Sequence, residues 1–183
     1  EDFWAQAATQ TASEQIILCL VRSIEGMPGQ NVLASAHGIQ FWDEDANAYV
    51  AIAAGASIQS TLIHELFHII DSRVLGVCNA YDNWEALNPK GFSYAFDYNT
   101  EIRDIDLTSG PDPYFLDAYS MTYPKEDRAR IMEYAMLEGQ SQRFSAPHLQ
   151  AKLRQICIGI RKAFSLESSV PYPWEQYLAE PIG

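Results

Sequence analysis

The chain has 183 residues, a mass of 20.6 kDa and a formal charge of −12, from 12 Lys and Arg against 24 Asp and Glu. A nucleic-acid surface needs a basic face, so the acidic balance argues against that class of partner. No window reaches the roughly 18 apolar residues that a membrane span needs. We therefore expect a soluble globular protein with a single domain over residues 1–183, which buries roughly 70% of its unfolded surface.

The first residue is Glu1, and no charged and apolar leader follows it. We therefore expect that any signal peptide is absent from this chain. A secreted or cell-surface protein of bacterial type is the expected localisation. The sequence leaves the oligomeric state open.

The chain has three cysteines, Cys19, Cys78 and Cys157, and their spacing shows no CxxC pair. Three cysteines allow at most one internal disulfide, and whether Cys78 and Cys157 are joined is left open. Cys19 and Cys157 each fall among apolar residues at helical spacing. Buried free thiols are the simpler expectation for these two.

The N-terminal third predicts one helix and then a small sheet. Apolar residues recur at steps of three and four over residues 12–26, which predicts a helix. Short extended runs then cover residues 31–35, 38–42 and 48–53, separated by turn residues. We expect these strands to form a small sheet, with the strand at 48–53 as an edge to which an extended substrate adds.

Three further helices are expected. The first runs from Ile58 to Val74 and ends at Gly76, a residue type favoured just past a helix end. An irregular, aromatic stretch follows over residues 77–113, and loops of this length are usually functional or mobile. A second helix opens at Pro124 and a third at Pro147, each with Pro at its first turn. The tail over residues 170–178 is expected to pack back onto the body.

Residues 64–68 read His-Glu-Leu-Phe-His in the middle of the first of these helices. Side chains four apart share a helix face, so His64 and His68 can reach one ion. Neutral imidazole is a preferred ligand of zinc. Glu65 lies at the edge of the same face, where it can accept a proton from a zinc-activated water. The flanking residues are apolar, and buried polar groups are costly unless they are paired or bound to metal.

A catalytic zinc site takes three protein ligands, and neither remaining histidine follows at a short spacing. A carboxylate is therefore expected as the third ligand. Glu126, near the start of the second of these helices, is the best candidate, with Asp127 and Glu133 as alternatives. Glu126 could instead serve only the helix N-terminus.

Asp71 lies three residues after His68, on the ligand face. There it could accept the imidazole N–H of that histidine and fix the tautomer. A surface ion pair with Arg73 is the alternative.

On these residues the chain resembles the zinc peptidases typified by the catalytic domain of anthrax lethal factor and by the clostridial Pro-Pro endopeptidases. The resemblance covers residues 48–138 and rests on residues 64–68, Asp71, Glu126 in a Tyr-Pro-Lys-Glu segment, and Tyr119 seven residues before it. It implies that Glu126 is the third zinc ligand. It also implies that Tyr119 donates a hydrogen bond to the oxyanion, although Tyr123 is close enough in sequence to be an alternative donor.

Together these features predict an α+β, zincin-like fold in which a small mixed sheet packs on the HExxH helix and further helices follow. The expected function is a zinc metallopeptidase, and specifically an endopeptidase, with Glu65 as general base and a peptide or protein as substrate. The alternative is a zinc-binding interaction module without catalysis. The sequence names neither the substrate nor the metal bound in the cell.

Overall fold

The structure is a computed structural model that describes residues 15–25, 36–76, 81, 83–95, 107–167 and 169–182. The chain divides into two compact units, Glu1–Val74 and Leu75–Gly183. Among the described residues, no helix is both long and apolar enough to cross a membrane.

The N-terminal unit contains a three-stranded mixed sheet. Its strands are β1 (Ile16–Val21), β2 (Gly38–Trp42) and β3 (Ala48–Ala53), in the order β1-β3-β2. β1 runs parallel to β3, and β2 runs antiparallel to it. The predicted strands at 38–42 and 48–53 are confirmed, and the one predicted at 31–35 lies outside the described residues.

The helix predicted over residues 12–26 is wrong where the structure describes it, because Ile16–Val21 forms strand β1. A run of six apolar residues satisfies helical spacing and strand formation equally well, so periodicity cannot distinguish them. The parallel register with β3, from Ile16 opposite Ala48 to Val21 opposite Ala53, decides the outcome. β1 lies at the edge of the described sheet, and its Leu20 side chain remains 69% exposed.

β3 is the central strand, so the prediction that it forms an edge open to substrate is wrong. Both of its backbone edges are occupied by β1 and β2. Its side chains explain this position, since alternate residues Ala48, Val50 and Ile52 are buried against the helix. A strand with so many buried side chains is stabilised by backbone partners on both sides, because its polar groups are also removed from water.

The HExxH helix, α1 (Ile58–Ile70), packs on this sheet as predicted. Ile69 joins Val50 and Ile52 in the core cluster, with the half-buried Leu62 and Leu66 packed against it. The chain continues beyond Ile70 as a π-helical turn, Asp71–Leu75, so helical structure reaches the residue before Gly76. The predicted end of this helix at Gly76 is therefore confirmed, and its last turn is π-helical instead of α-helical.

The C-terminal unit is built on two helices, α2 (Pro124–Ala135) and α3 (Pro147–Ala163). Both begin with Pro in the first turn, as the sequence predicts, because the missing N–H has no helical partner there. Short 3₁₀ turns precede them at Trp84–Leu87, Tyr119–Met121 and Arg143–Ser145. Together with the sheet and α1, these helices confirm the predicted α+β class.

The C-terminal tail packs on α3, as predicted. Trp174 is 3% exposed, and the adjacent Glu175 carboxylate accepts two hydrogen bonds from Arg161, at 2.6 and 2.8 Å. Cys157 is a buried free thiol, which confirms the prediction for that residue, and burial raises its pKa. Cys19 is a free, half-buried thiol, and Cys78 lies outside the described residues.

Candidate metal centre

The two histidines of the motif lie side by side on α1. Their ring centroids are 4.8 Å apart and the rings are nearly perpendicular, at 88°. His64 is buried, at 7% exposure, and His68 is half-buried. Spacing of four residues on a regular helix thus gives two imidazoles on one face, as the sequence predicts.

Glu65 is also buried, at 7% exposure, and it lies against the start of β2. A Cβ placed on Gly38 would be 2.8 Å from Glu65 Oε1 and 2.9 Å from Glu65 Cγ. This added Cβ would also be 2.4 Å from Cγ2 of Thr61, which lies one turn before Glu65 on the same face of α1. The strand passes this close to the carboxylate because Gly38 has no side chain. Glycine is needed here for space and not for a left-handed backbone, since Gly38 does not have a positive φ.

Asp71 follows α1 directly, in the first position of the π-helical turn, and is 5% exposed. Turns of this kind are often found at functional sites. The guanidinium of Arg73 lies 4.1 Å above the centre of the Trp42 ring, so this cation contacts the end of β2. The role of Asp71 beside His68 stays a prediction.

In the C-terminal unit, Glu126 lies in the first turn of α2 and is 6% exposed. Its backbone N–H donates to the carbonyl of Tyr123 at 3.0 Å, which fixes the start of the helix. Lys125 in the same unit lies close to it, with its Nζ 3.8 Å from Glu126 Oε1 and its side chain 61% exposed. An exposed lysine on a flexible stem adds little to the stability of such a pair.

The alternative carboxylates each have a short contact to a cation of their own unit. Asp127 Oδ2 is 2.7 Å from Nζ of Lys152, and both side chains are fully buried. Glu133 Oε2 accepts a hydrogen bond from Arg130 at 2.7 Å. Burial raises the pKa of Asp127 and lowers the pKa of Lys152, while their mutual attraction opposes both changes. Asp127 and Glu133 are thus each held by a cation of the C-terminal unit at 2.7 Å, whereas the Lys125 contact of Glu126 is longer, at 3.8 Å.

The two candidate tyrosines differ in how they are held. Tyr119 opens the 3₁₀ turn before α2, and its ring lies 5.2 Å from the guanidinium carbon of Arg130. Arg130 is fixed in turn by Asp117, at 3.1 Å from its Nε. Tyr123 is 36% exposed, with Lys125 Nζ 5.9 Å from its ring centre. Of the two, Tyr119 is the less exposed residue, and its catalytic role stays a prediction.

Sequence reasoning missed two residues that the structure makes prominent, Gly38 and Lys152. Nothing in the sequence marks a glycine at the start of a strand as lying against a helix. Lys152 could have been found, because it is three residues after Leu149 and four before Ile156, on the apolar face of α3. A lysine on such a face is fully buried only when it is paired.

No family model and no curated protein matches the chain. One solved structure is similar to it, a protein of Bacteroides caccae described as a "putative zinc-binding metallo-peptidase". The TM-score is 0.52 at 13% sequence identity, and the match covers 88% of this chain and 70% of the other. At this identity the likeness establishes the fold alone, which is an α+β arrangement of a small mixed sheet with helices.

Proposed function

We propose that this chain is a zinc-dependent peptidase that hydrolyses peptide bonds, with Glu65 as general base. The observation that carries the proposal is the turn of α1 at residues 64–68. It combines two imidazoles, 4.8 Å apart, with a carboxylate one residue away, in a helix whose other face is the core of the unit. Two imidazoles on one helix face with a carboxylate beside them are the side chains that an HExxH site uses to bind zinc and to activate water.

His64, His68 and Glu126 are the proposed metal ligands, each offering one donor atom. Two neutral imidazoles and one carboxylate are a ligand set typical of catalytic zinc, which keeps its fourth position for water or substrate. A structural site instead has four protein ligands. The donor chemistry of these residues therefore fits a catalytic zinc ion.

Zinc, when bound, lowers the pKa of water towards 7 and polarises the scissile carbonyl. Glu65 accepts the proton of the attacking water and delivers it to the leaving amine. Its position against Gly38 limits the conformations of its side chain. Tyr119 donates its phenolic O–H to the oxygen that gains negative charge during attack.

Substrate binding is proposed at β2 rather than at β3. An extended peptide adds to a sheet only at a strand with an unpaired edge, and β3 is paired on both sides. Of the two outer strands of the described sheet, β2 is the one that begins beside Glu65. A peptide along β2 therefore passes close to the proposed general base.

At a finer level, we propose that the protein belongs with the lethal factor and Pro-Pro endopeptidase type of zinc peptidase, acts as an endopeptidase and is secreted. The residues that support the assignment to this type of peptidase are the HExxH segment, Asp71, Tyr119 and Glu126. Their spacing matches that type, while the fold comparison supports only the broader metallopeptidase-like class.

The test is metal analysis of the purified protein, followed by digestion of a peptide library with and without a chelator. We expect about one zinc per chain, and peptide cleavage that the chelator abolishes and added zinc restores. The matched variant is Glu65→Gln, which keeps the shape of the side chain but cannot accept the proton. Cleavage should fall at least 10²-fold, the lower range for a lost general base, while zinc stays bound.

Three outcomes separate the alternatives. Zinc bound without cleavage of any peptide favours the interaction module. A fully active Glu65→Gln variant contradicts the assigned mechanism. Loss of zinc in that variant shows that Glu65 acts on the metal site and not as a base.

A further inference from the structure

A buried ion pair lies at the centre of the C-terminal unit. Lys152, from the middle of α3, donates a hydrogen bond to Asp127 Oδ2 at 2.7 Å, and neither side chain has any exposed surface. Lys152 also donates to the backbone carbonyl of Tyr114 at 2.8 Å, and its Nζ lies 3.7 Å from the centre of the Phe115 ring. Lys152 thus connects α3 to α2 and to the adjacent residues Tyr114 and Phe115.

The same carboxylate oxygen also fixes the segment 84–94. Tyr94 donates its O–H to Asp127 Oδ2 at 2.8 Å, and its own oxygen accepts hydrogen bonds from Trp84 Nε1 at 3.0 Å and from Asn88 Nδ2 at 2.9 Å. Asp127 is therefore held by a lysine on one side and by a tyrosine network on the other. Both sets of contacts act on the first turn of α2.

Stability alone does not explain this arrangement. Two charges buried together pay a large desolvation penalty, and well-packed apolar residues in their place are often as stable or more so. What the pair does provide is a fixed location and orientation for the helix turn that carries Asp127. The residue before Asp127 in that turn is Glu126, which is itself buried at 6% exposure.

We propose that the Lys152–Asp127 pair is a positioning device for the third metal ligand, which holds the first turn of α2 so that the Glu126 carboxylate keeps one orientation. The inference rests on the proposed zinc site. Outer partners that orient metal ligands typically change metal affinity by about 10- to 100-fold when they are removed. Lys152, Asp127 and Tyr94 are positioning residues in this sense and do not touch the metal.

A second buried ion pair in the same unit supplies a matched control. Arg161, also on α3, donates to Glu175 at 2.6 and 2.8 Å, and this pair fixes the C-terminal tail, which contacts α2 at Ala135, the opposite end of the helix from Asp127. Lys152→Met and Arg161→Met each leave one buried carboxylate without its cation, so both should unfold at a lower temperature. Only the first should alter the metal site.

The experiment measures the zinc dissociation constant by competition with a chromogenic chelator, at a temperature where circular dichroism shows each variant folded. We expect Lys152→Met to weaken zinc binding about 10- to 100-fold and Arg161→Met to leave it within about twofold. Equal weakening in both variants, or none in Lys152→Met, overturns the inference. A wild-type protein that binds no zinc overturns the proposed function, and the inference with it.

A milder pair of variants covers the case in which a methionine variant does not fold. Tyr94→Phe removes one hydrogen bond to Asp127 and should weaken zinc binding about two- to tenfold, the range for one ordinary hydrogen bond. Tyr177→Phe is its control, because the Tyr177 hydroxyl donates to the carbonyl of Leu137 and not to Asp127. Unchanged zinc affinity in Tyr94→Phe counts against the inference.

Discussion

Gly38→Ala tests whether the close approach of β2 to α1 positions the proposed general base. The added methyl would be 2.4 Å from Thr61 Cγ2 and 2.8 Å from Glu65 Oε1, against the 3.4 Å at which ordinary contact begins. The shortfalls are therefore 1.0 Å and 0.6 Å. The strand, the helix or the two side chains must move by about these distances.

The expected magnitudes follow from that displacement. An extra methyl in a packed site costs about 1 to 3 kcal/mol of stability. A misplacement near 1 Å of a catalytic group costs about 10²-fold in rate, so a displacement of Glu65 by 0.6 Å should lower kcat by about 10- to 10²-fold. Zinc affinity should stay near that of the wild type, since the three atoms nearest the methyl belong to Thr61 and Glu65 and not to the histidines.

The assay compares kcat, KM, zinc content and melting temperature of Gly38→Ala with those of the double variant Gly38→Ala/Thr61→Ser. The serine removes Cγ2, and with it the shortest contact, so the double variant should recover stability. Its activity should stay low, because the contact with Glu65 remains. A Gly38→Ala protein with wild-type kcat and melting temperature would refute the reasoning, and recovery of activity in the double variant would locate the effect at Thr61 instead.

Three other predictions concern the ligand, the oxyanion donor and a buried thiol. Glu126→Gln should weaken zinc binding far more than Glu133→Gln in a chelator competition, and the reverse order would show that the ligand is misassigned. Tyr119→Phe should lower kcat about 10²- to 10³-fold with little change in KM, while Tyr123→Phe should leave kcat unchanged. A loss of rate in Tyr123→Phe alone would show that Tyr123 is the oxyanion donor. Because burial raises the pKa of Cys157, the folded thiol stays protonated above pH 9, where the unfolded thiol ionises. The free energy of unfolding, measured by chemical denaturation, should therefore fall as the pH rises from 8 to 10, and should fall less in Cys157→Ala.

Local pattern was sufficient where one signal dominated. The spacing of His64 and His68 needs only a regular helix to place both rings on one face, and the long apolar repeat around them specifies that helix. Pro at the first turn likewise fixed the starts of α2 and α3 within the sequence. The α+β class follows from these elements and the short strands before them.

Tertiary structure decided the features that depend on partners distant in sequence. Residues 16–21 form a strand because β3 has a backbone edge for them, and no local pattern carries that information. Strand order is a property of the sheet as a whole, which is why β3 turned out to be central and β2 to lie beside Glu65. Lys152 is tolerated on an apolar helix face because Asp127, 25 residues earlier in the chain, lies opposite it.

The sequence by itself determined which groups are available for chemistry at α1, because helix geometry fixes the relation between residues four apart. What surrounds those groups was decided only by folding. Whether Glu65 is buried, which strand passes it and which carboxylates already have a buried cation all depend on contacts between separate segments. Such contacts follow from packing and desolvation over the whole unit, and no short stretch of sequence encodes them.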